Sequence, residues 1–169
     1  MAHVISFHSF RSGTGKSNLA ANLTALLVKS GKRVCLVDAD LQSPTASILF
    51  NHDDSSGPYL NDYLAGNCTI RETAVDLSAR IDSRPAGSLT LVPADPTPTE
   101  IVRGLREGHN FSRLVAGINS LSTAFTPDLI LIDTHGGLSE ITLNVLAASD
   151  QALLLLRADQ QDYQGTSVL

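Results

Sequence analysis

The sequence predicts an α/β fold with a mostly parallel central sheet. Short apolar runs alternate with longer helical patterns, which is typical of strands joined by crossover helices. The apolar runs are nearly continuous, as expected for strands buried on both faces; they cover residues 4–8, 34–37, 89–92, 129–132 and 152–156. With 169 residues and no linker, the chain is long enough to bury roughly two thirds of its unfolded surface. We therefore expect a single domain over residues 1–169.

The helix after the first strand is the clearest one in the sequence. Leucines recur at i, i+4, i+7 and i+8, which predicts an amphipathic helix that ends at Gly31; they are Leu19, Leu23, Leu26 and Leu27. Residues 46–88 are less regular, with a loop predicted over 51–58 and two short helices after it. Further on, Thr97 and Glu100 have capping-box spacing, which predicts a helix that ends near Gly108.

The composition narrows the class of protein. Twelve basic residues against 17 acidic ones argue against a general nucleic-acid coat protein. Cys35 and Cys68 fit neither a disulfide framework nor a metal pattern. The N-terminus lacks the features of a signal peptide, and the longest aliphatic run, 153–156, is far shorter than the roughly 20 residues that cross a bilayer. A cytoplasmic protein with no transmembrane segment is expected.

The stretch FRSGTGKSN, residues 10–18, predicts a phosphate-binding loop between the first strand and the first helix. Gly13 and Gly15 allow the backbone angles that turn successive N–H groups inward, and the following helix contributes its positive end. Lys16 would neutralise the β and γ phosphates, and Ser17 would ligate Mg²⁺. The alternative is an ordinary glycine turn with an exposed lysine.

Carboxylates at the ends of two predicted strands supply the rest of the site. Asp38 and Asp40 close the second strand, and Asp133 closes the strand over 129–132. Ligands of open parallel sheets bind at this carboxyl edge, where acidic groups can hold Mg²⁺ and orient an attacking water. Taken alone, a strand-end aspartate would more simply cap the next turn.

Three stretches resemble motifs of the MinD/ParA ATPases. SFRSGTGKSNLAANL resembles their deviant Walker A motif, typically K-G-G-x-G-K-[ST]. VCLVDADLQSP resembles their D-x-D-x-Q motif, and LILIDTHGG resembles D-T-P-x-G. The three occur in the family's order across residues 4–137, which makes the resemblance specific.

The resemblance implies the three-layer α/β/α fold of P-loop NTPases and a site for ATP and Mg²⁺. The nucleotide-binding residues would be Ser12, Gly13, Thr14, Gly15, Lys16, Ser17, Asn18 and Gly137. Mg²⁺ would be held by Ser17, Asp38 and Asp133, with Asp38 in the outer shell. Catalysis would depend on Lys16, Asp40 and Arg11, with Asp40 on the attacking water. The Gly137 N–H would sense the γ-phosphate.

The first glycine of the general G-x-x-x-x-G-K-[ST] pattern is absent, with Phe10 in its place, and the MinD/ParA family tolerates this change. Three positions depart from the family's own motifs: Arg11 replaces a lysine, Ser12 a glycine and His135 a proline. The family lysine reaches across an ATP-bound dimer to the partner's phosphates, so the resemblance implies the same for Arg11, with a different geometry. The hydrolysis rate depends on these changes.

The expected function is an ATP-hydrolysing switch that dimerises around Mg-ATP and acts in partitioning, positioning or regulation of a cargo. The alternatives are a nucleotide-holding regulator with little hydrolysis and an ATP-dependent small-molecule ligase of the same fold. Arg103, Arg106 and Arg113 are expected on a solvated surface, and DNA binding is the alternative for them. Family members continue past position 169, so we expect that this chain lacks C-terminal strands and helices. Any attachment to the membrane or nucleoid would depend on that missing part.

Overall fold

A computed structural model describes residues 2–52, 57–108, 110 and 112–167 of the protein. Its strands are β1 (His3–His8), β2 (Arg33–Ala39), β3 (Val75–Asp76), β4 (Ser88–Val92), β5 (Leu129–Thr134) and β6 (Gln151–Leu154). Its helices are α1 (Lys16–Lys29), α2 (Ala46–Leu49), α3 (Leu60–Ala65), α4 (Ser78–Ile81), α5 (Pro98–Glu107), α6 (Ser112–Phe125), α7 (Glu140–Ala148) and α8 (Gln160–Thr166).

The strands form one sheet in the order β3-β4-β2-β5-β1-β6. Only the pairing of β3 with β4 is antiparallel, and the other four pairings are parallel. The register places Asp133 beside Phe7 of β1 on one side and beside Asp38 of β2 on the other. The carboxyl ends of β1, β2 and β5 therefore meet at one edge of the sheet, as expected for ligand sites in open parallel sheets.

Helices cover both faces of the sheet. Because strand side chains alternate between faces, Cys35 and Val37 join one core while Val34 and Leu36 join the other. The first core includes residues of α3, α6 and α7, and the second includes residues of α1. The three-layer α/β/α fold with a mostly parallel sheet is thus confirmed.

Several elements differ from the sequence-based predictions. The two short helices predicted after the loop are α3 and α4, whereas β3 was too short to show a periodic pattern. The predicted loop over 51–58 lies partly outside the described residues, since positions 53–56 are not described. The prediction of a capping box at α5 was wrong. The Thr97 side chain makes no capping hydrogen bond, and Glu100 pairs with Arg103 instead.

Strand β6 lies at the end of the sheet, beside β1. All four of its residues are exposed, with Leu153 38% and Leu154 45% accessible. The strand ends at Leu154, earlier than the predicted run over 152–156, although the Leu155 N–H still donates to the His8 carbonyl oxygen of β1 at 2.8 Å. Within the described part of the chain, none of the helices has the length and apolarity that crossing a membrane requires.

Candidate nucleotide-binding site

The loop between β1 and α1 has the form of a phosphate cradle. Gly13 and Gly15 take left-handed backbone angles, with φ of 75° and 91°. Helix α1 begins at Lys16 and has no acidic residue in its first turn, so the positive end of its dipole is uncompensated. A cavity of about 260 Å³ opens at this point. Its lining residues are Ser12, Gly13, Gly15, Lys16, Ser17, Asn18, Asp40, Ser43, Thr45 and Leu49.

Lys16 reaches the cavity from a nearly buried position. Its side chain lines the cavity, the residue is 6% exposed, and Nζ donates a hydrogen bond to Ser9 Oγ at 2.9 Å. None of the ion pairs among the described residues includes this ammonium group. A positive charge that is held in place and makes no contact ion pair with a carboxylate is suited to an anion in the cavity.

Asp38 is buried beneath the cavity wall. Its Oδ2 accepts hydrogen bonds from the backbone N–H groups of Thr45, at 3.1 Å, and Ala46, at 3.0 Å. Its Oδ1 accepts from the Asp40 N–H at 3.2 Å. Burial raises the pKa of Asp38 to about 7, although the hydrogen bond from Ala46 opposes the rise. Asp38 thus holds the segment after β2 in place.

Asp133 is also buried, and neither of its carboxylate oxygens has a hydrogen-bond partner in the described part of the chain. Burial raises the pKa of Asp133 to about 6; the nearby Ser17 hydroxyl opposes the rise without a hydrogen bond of normal geometry, and Lys16 opposes it electrostatically. Orphaned carboxylate oxygens beside a hydroxyl fit Mg²⁺, which takes few protein ligands and completes its shell with water and phosphate. Among the described residues, no group of three or more His, Cys, Asp or Glu is arranged to hold a metal ion.

Asp133→Asn is expected to stabilise the protein without nucleotide. Because the folded-state pKa of about 6 lies above the ordinary value of 3.8, the folded protein keeps a proton that the unfolded chain has lost. The contribution of Asp133 to stability therefore falls as pH rises from about 4 to about 6 and stays low above that range. The variant should gain up to about 3 kcal/mol in the free energy of unfolding at pH 8 and nothing near pH 4.

Urea unfolding at several pH values measures this gain. Groups that do not interact with Asp133 titrate alike in both proteins and cancel in the difference, whereas Asp38, whose pKa the Asp133 charge raises, does not cancel. The exposed Glu107→Gln is the matched control. A constant difference between the Asp133→Asn variant and the wild type across this pH range would contradict the expectation.

The loop after β5 packs directly against the cradle. The Gly137 N–H donates to the Ser9 carbonyl oxygen at 2.9 Å. A Cβ on Gly136 would lie 2.7 Å from the Ser12 nitrogen, so only glycine permits this approach. The Gly137 N–H was predicted to contact the γ-phosphate, but here it donates to Ser9. To contact a phosphate it would first have to break this hydrogen bond.

Arg11 is held within its own chain. Its guanidinium contacts Asp159 and Asp162, and Nη1 donates to Gln161 Oε1 at 2.8 Å. Asp162 is buried, and its pKa is lowered, first by the Arg157 N–H and then by Arg11. These α8 partners were missed at the sequence level, where only the aspartates of DQQD hint at a helix start. Arg11 is not among the residues that line the cavity, and its contact with a partner's phosphates stays a prediction.

Phe10 fits in place of the usual first glycine because α8 leaves room for its ring. The ring lies against Gly165, where an added Cβ would come within 2.1 Å of Phe10 Cδ1. Arg157 also joins this region to the cradle, since its Nη2 donates to the Gly13 carbonyl oxygen at 2.7 Å. The segment after β6 thus supports the loop from outside.

Seven of the twelve predicted site residues line the cavity, and the other five do not: Arg11, Thr14, Asp38, Asp133 and Gly137. The Thr14 hydroxyl oxygen is buried without a partner among the described residues. The arginines considered for DNA binding do not line the cavity: Arg103 pairs with Glu100, Arg106 is exposed in the last turn of α5, and Arg113 lies over the Tyr63 ring at 4.9 Å. His135 does reach the site, where its Nδ1 lies 3.0 Å from Asp40 Oδ1.

Comparison with known proteins places these features in a family. A family model described as an AAA domain matches residues 2–169. The chain is 29% identical over 171 residues to the chromosome partitioning protein ParA of Myxococcus xanthus, covering all of this chain and 57% of that protein.

Two solved structures share the fold. The cell division ATPase MinD of Pyrococcus furiosus is 25% identical, with a TM-score of 0.80 over 98% of this chain and 64% of that one. The septum site-determining protein MinD of Pyrococcus horikoshii, solved with Mg-ADP, is 23% identical, with a TM-score of 0.78 over 98% and 62%. The chain thus spans less than two thirds of the length of each of these three proteins.

Proposed function

The chain belongs to the MinD/ParA family of P-loop ATPases, and on that premise we propose that it binds and hydrolyses Mg-ATP as a switch that dimerises around the nucleotide. Its output would be the partitioning, positioning or regulation of a cargo. The observation that carries this proposal is the cavity at the start of α1, where Lys16 and the Gly13–Gly15 loop meet Asp40, the residue after β2. Asp133 of β5 lies close enough to Ser17 and Lys16 to interact with both.

In the proposed site, each group has one task. The loop N–H groups and Lys16 bind the phosphates, and Ser12 and Asn18 line the cavity that receives the nucleotide. Ser17 and Asp133 would hold Mg²⁺, with Asp38 outside them, and the ion would offset charge on the phosphate oxygens. Asp40, at the cavity wall, orients the water that attacks the γ-phosphate.

Dimerisation is supported by exposed apolar residues beside the site. Helix α5 has no fully buried residue, and Leu105 is 63% exposed. Leu138 follows the glycines of the loop after β5, and Leu143 on α7 is likewise exposed. Leu105 lines a neighbouring cavity together with His135, so a second copy that docks over this side of the site would cover it.

A nucleotide-holding regulator is the second candidate. One observation favours it: the Arg11 guanidinium is occupied by acidic groups of its own chain. In that function ATP would remain intact after binding, and association with a partner protein would be the output.

Mg-ATP is expected to convert the protein from monomer to dimer, whereas Mg-ADP should leave it monomeric. Light scattering after size exclusion measures the mass, and single-turnover hydrolysis in the same samples separates the two candidates. Arg11→Ala should weaken the ATP-dependent dimer at least about tenfold, because a charge contact across the interface is lost. Arg84→Ala, an exposed change before β4, is the matched control.

An unchanged dimer constant for Arg11→Ala would contradict contact of Arg11 with the partner's phosphates. Equal masses in ATP and ADP would contradict the switch itself. Bound but intact ATP in the wild type would favour the regulator.

A further inference from the structure

We propose that His135 is a positioning residue that fixes the carboxylate of Asp40 so that one oxygen alone is free to orient the attacking water. The inference rests on the proposed function, because it assigns a role in hydrolysis. The family motif places proline at this position, and proline has no side-chain donor. The chain would thus use an interaction that the usual motif lacks.

The hydrogen bonds on Asp40 distinguish its two oxygens. Oδ1 accepts from the backbone N–H groups of Ser43, at 2.9 Å, and Gln42, at 3.3 Å, and from His135 Nδ1 at 3.0 Å. Three donors exceed the two lone pairs of a carboxylate oxygen, so Oδ1 is saturated. Among the described residues none donates to Oδ2. Oδ2 therefore remains as the oxygen that can accept a proton or a hydrogen bond from water.

The proton on His135 follows from the chemistry of its partner. An ionised carboxylate only accepts hydrogen bonds, so Nδ1 must carry the hydrogen. The neutral ring satisfies this requirement with Nε2 unprotonated. The contact therefore does not require a positively charged imidazole.

The backbone on either side of His135 is held in place. Thr134 is paired in the sheet beside Ala39, and its hydroxyl donates to the Phe7 carbonyl oxygen at 2.7 Å. On the other side, Gly136 packs against the cradle and Gly137 donates to Ser9. The His135 side chain is 23% exposed. A ring on so fixed a segment restricts the rotation of the Asp40 carboxylate at little further cost in entropy.

Two substitutions separate the hydrogen bond from the bulk of the ring. Asparagine places an amide N–H close to the position of Nδ1, whereas alanine has no donor. His135→Ala should slow single-turnover hydrolysis of Mg-ATP about tenfold or more, with the Kd of Mg-ATP within about twofold of wild type because phosphate contacts are untouched. His135→Asn should recover the rate to within about threefold of wild type. Circular dichroism melts of both variants check folding.

A second measurement needs no nucleotide. In ¹⁵N NMR of the free protein at pH 8.5, the His135 ring should be in the Nδ1–H tautomer, and Asp40→Ala should shift its signals. An Nε2–H tautomer, a wild-type rate in His135→Ala, or equally slow alanine and asparagine variants would each overturn the inference. If the wild type itself hydrolyses ATP no faster than Asp40→Ala, the proposed hydrolysis fails and this role fails with it. A slower rate in His135→Ala, together with a near-wild-type rate in His135→Asn, supports both the proposed hydrolysis and the role of His135.

Discussion

Lys16→Ala should abolish the binding of Mg-ATP and leave the fold intact. The ammonium group is nearly buried at the cavity, with Ser9 Oγ as its hydrogen-bond acceptor and without a carboxylate in an ion pair among the described residues. Charge-assisted hydrogen bonds to phosphate in such a site are strong, so we expect affinity to fall at least about a hundredfold. Packing should change little, since Lys16 lies at the first position of α1.

Isothermal titration with ATP and Mg²⁺ measures this loss, and a urea melt without nucleotide checks the fold. Lys29→Ala is the matched control, because it removes the same charge from the exposed far end of the same helix. Undiminished affinity in Lys16→Ala would refute the assignment of the loop as the phosphate site.

Asp40→Asn should leave Mg-ATP bound and lower its single-turnover hydrolysis by about 10²–10⁴-fold, the range for loss of a general base. The amide oxygen can still accept from Ser43 and Gln42, so the turn after β2 is retained. The anionic Oδ2, which would orient the water, is lost. The variant thus tests the charge of Asp40 apart from its structural hydrogen bonds.

Asp40→Ala is the companion variant, because it removes both the charge and the turn contacts. Rapid-quench measurement of ADP formation follows the rate, and titration follows binding. Hydrolysis at the wild-type rate in Asp40→Asn would contradict the role of Asp40. Similar rates in the two variants, both far below wild type, would show that the charge matters more than the turn.

The parts of the site that sequence predicted best depend on short-range patterns. The cradle is encoded within seven residues, and its glycines do take left-handed angles. Asp38 and Asp133 could be paired because each ends an apolar strand and parallel strands align their carboxyl ends. In both cases, local periodicity and sheet geometry were sufficient.

The contacts that sequence could not predict join distant segments. Arg11 and Asp162 are 151 positions apart, and no pattern in either segment identifies the other. Phe10 and Gly165 fit each other through shape alone. His135 was visible as a departure from a motif, but its bond to Asp40 depends on a side-chain rotamer. Long-range packing, which has no periodic signature, determines all three contacts.

The exposed position of β6 has a consequence for experiments on this polypeptide. Its outer row of backbone donors and acceptors, bordered by Leu153 and Leu154, is a template on which a strand from another molecule can add. Such pairing of edge strands would join two molecules irrespective of whether the nucleotide site holds ATP, ADP or no nucleotide. Mass that persists in ADP and grows with protein concentration therefore does not report the switch, and only the nucleotide-reversible fraction of the mass does.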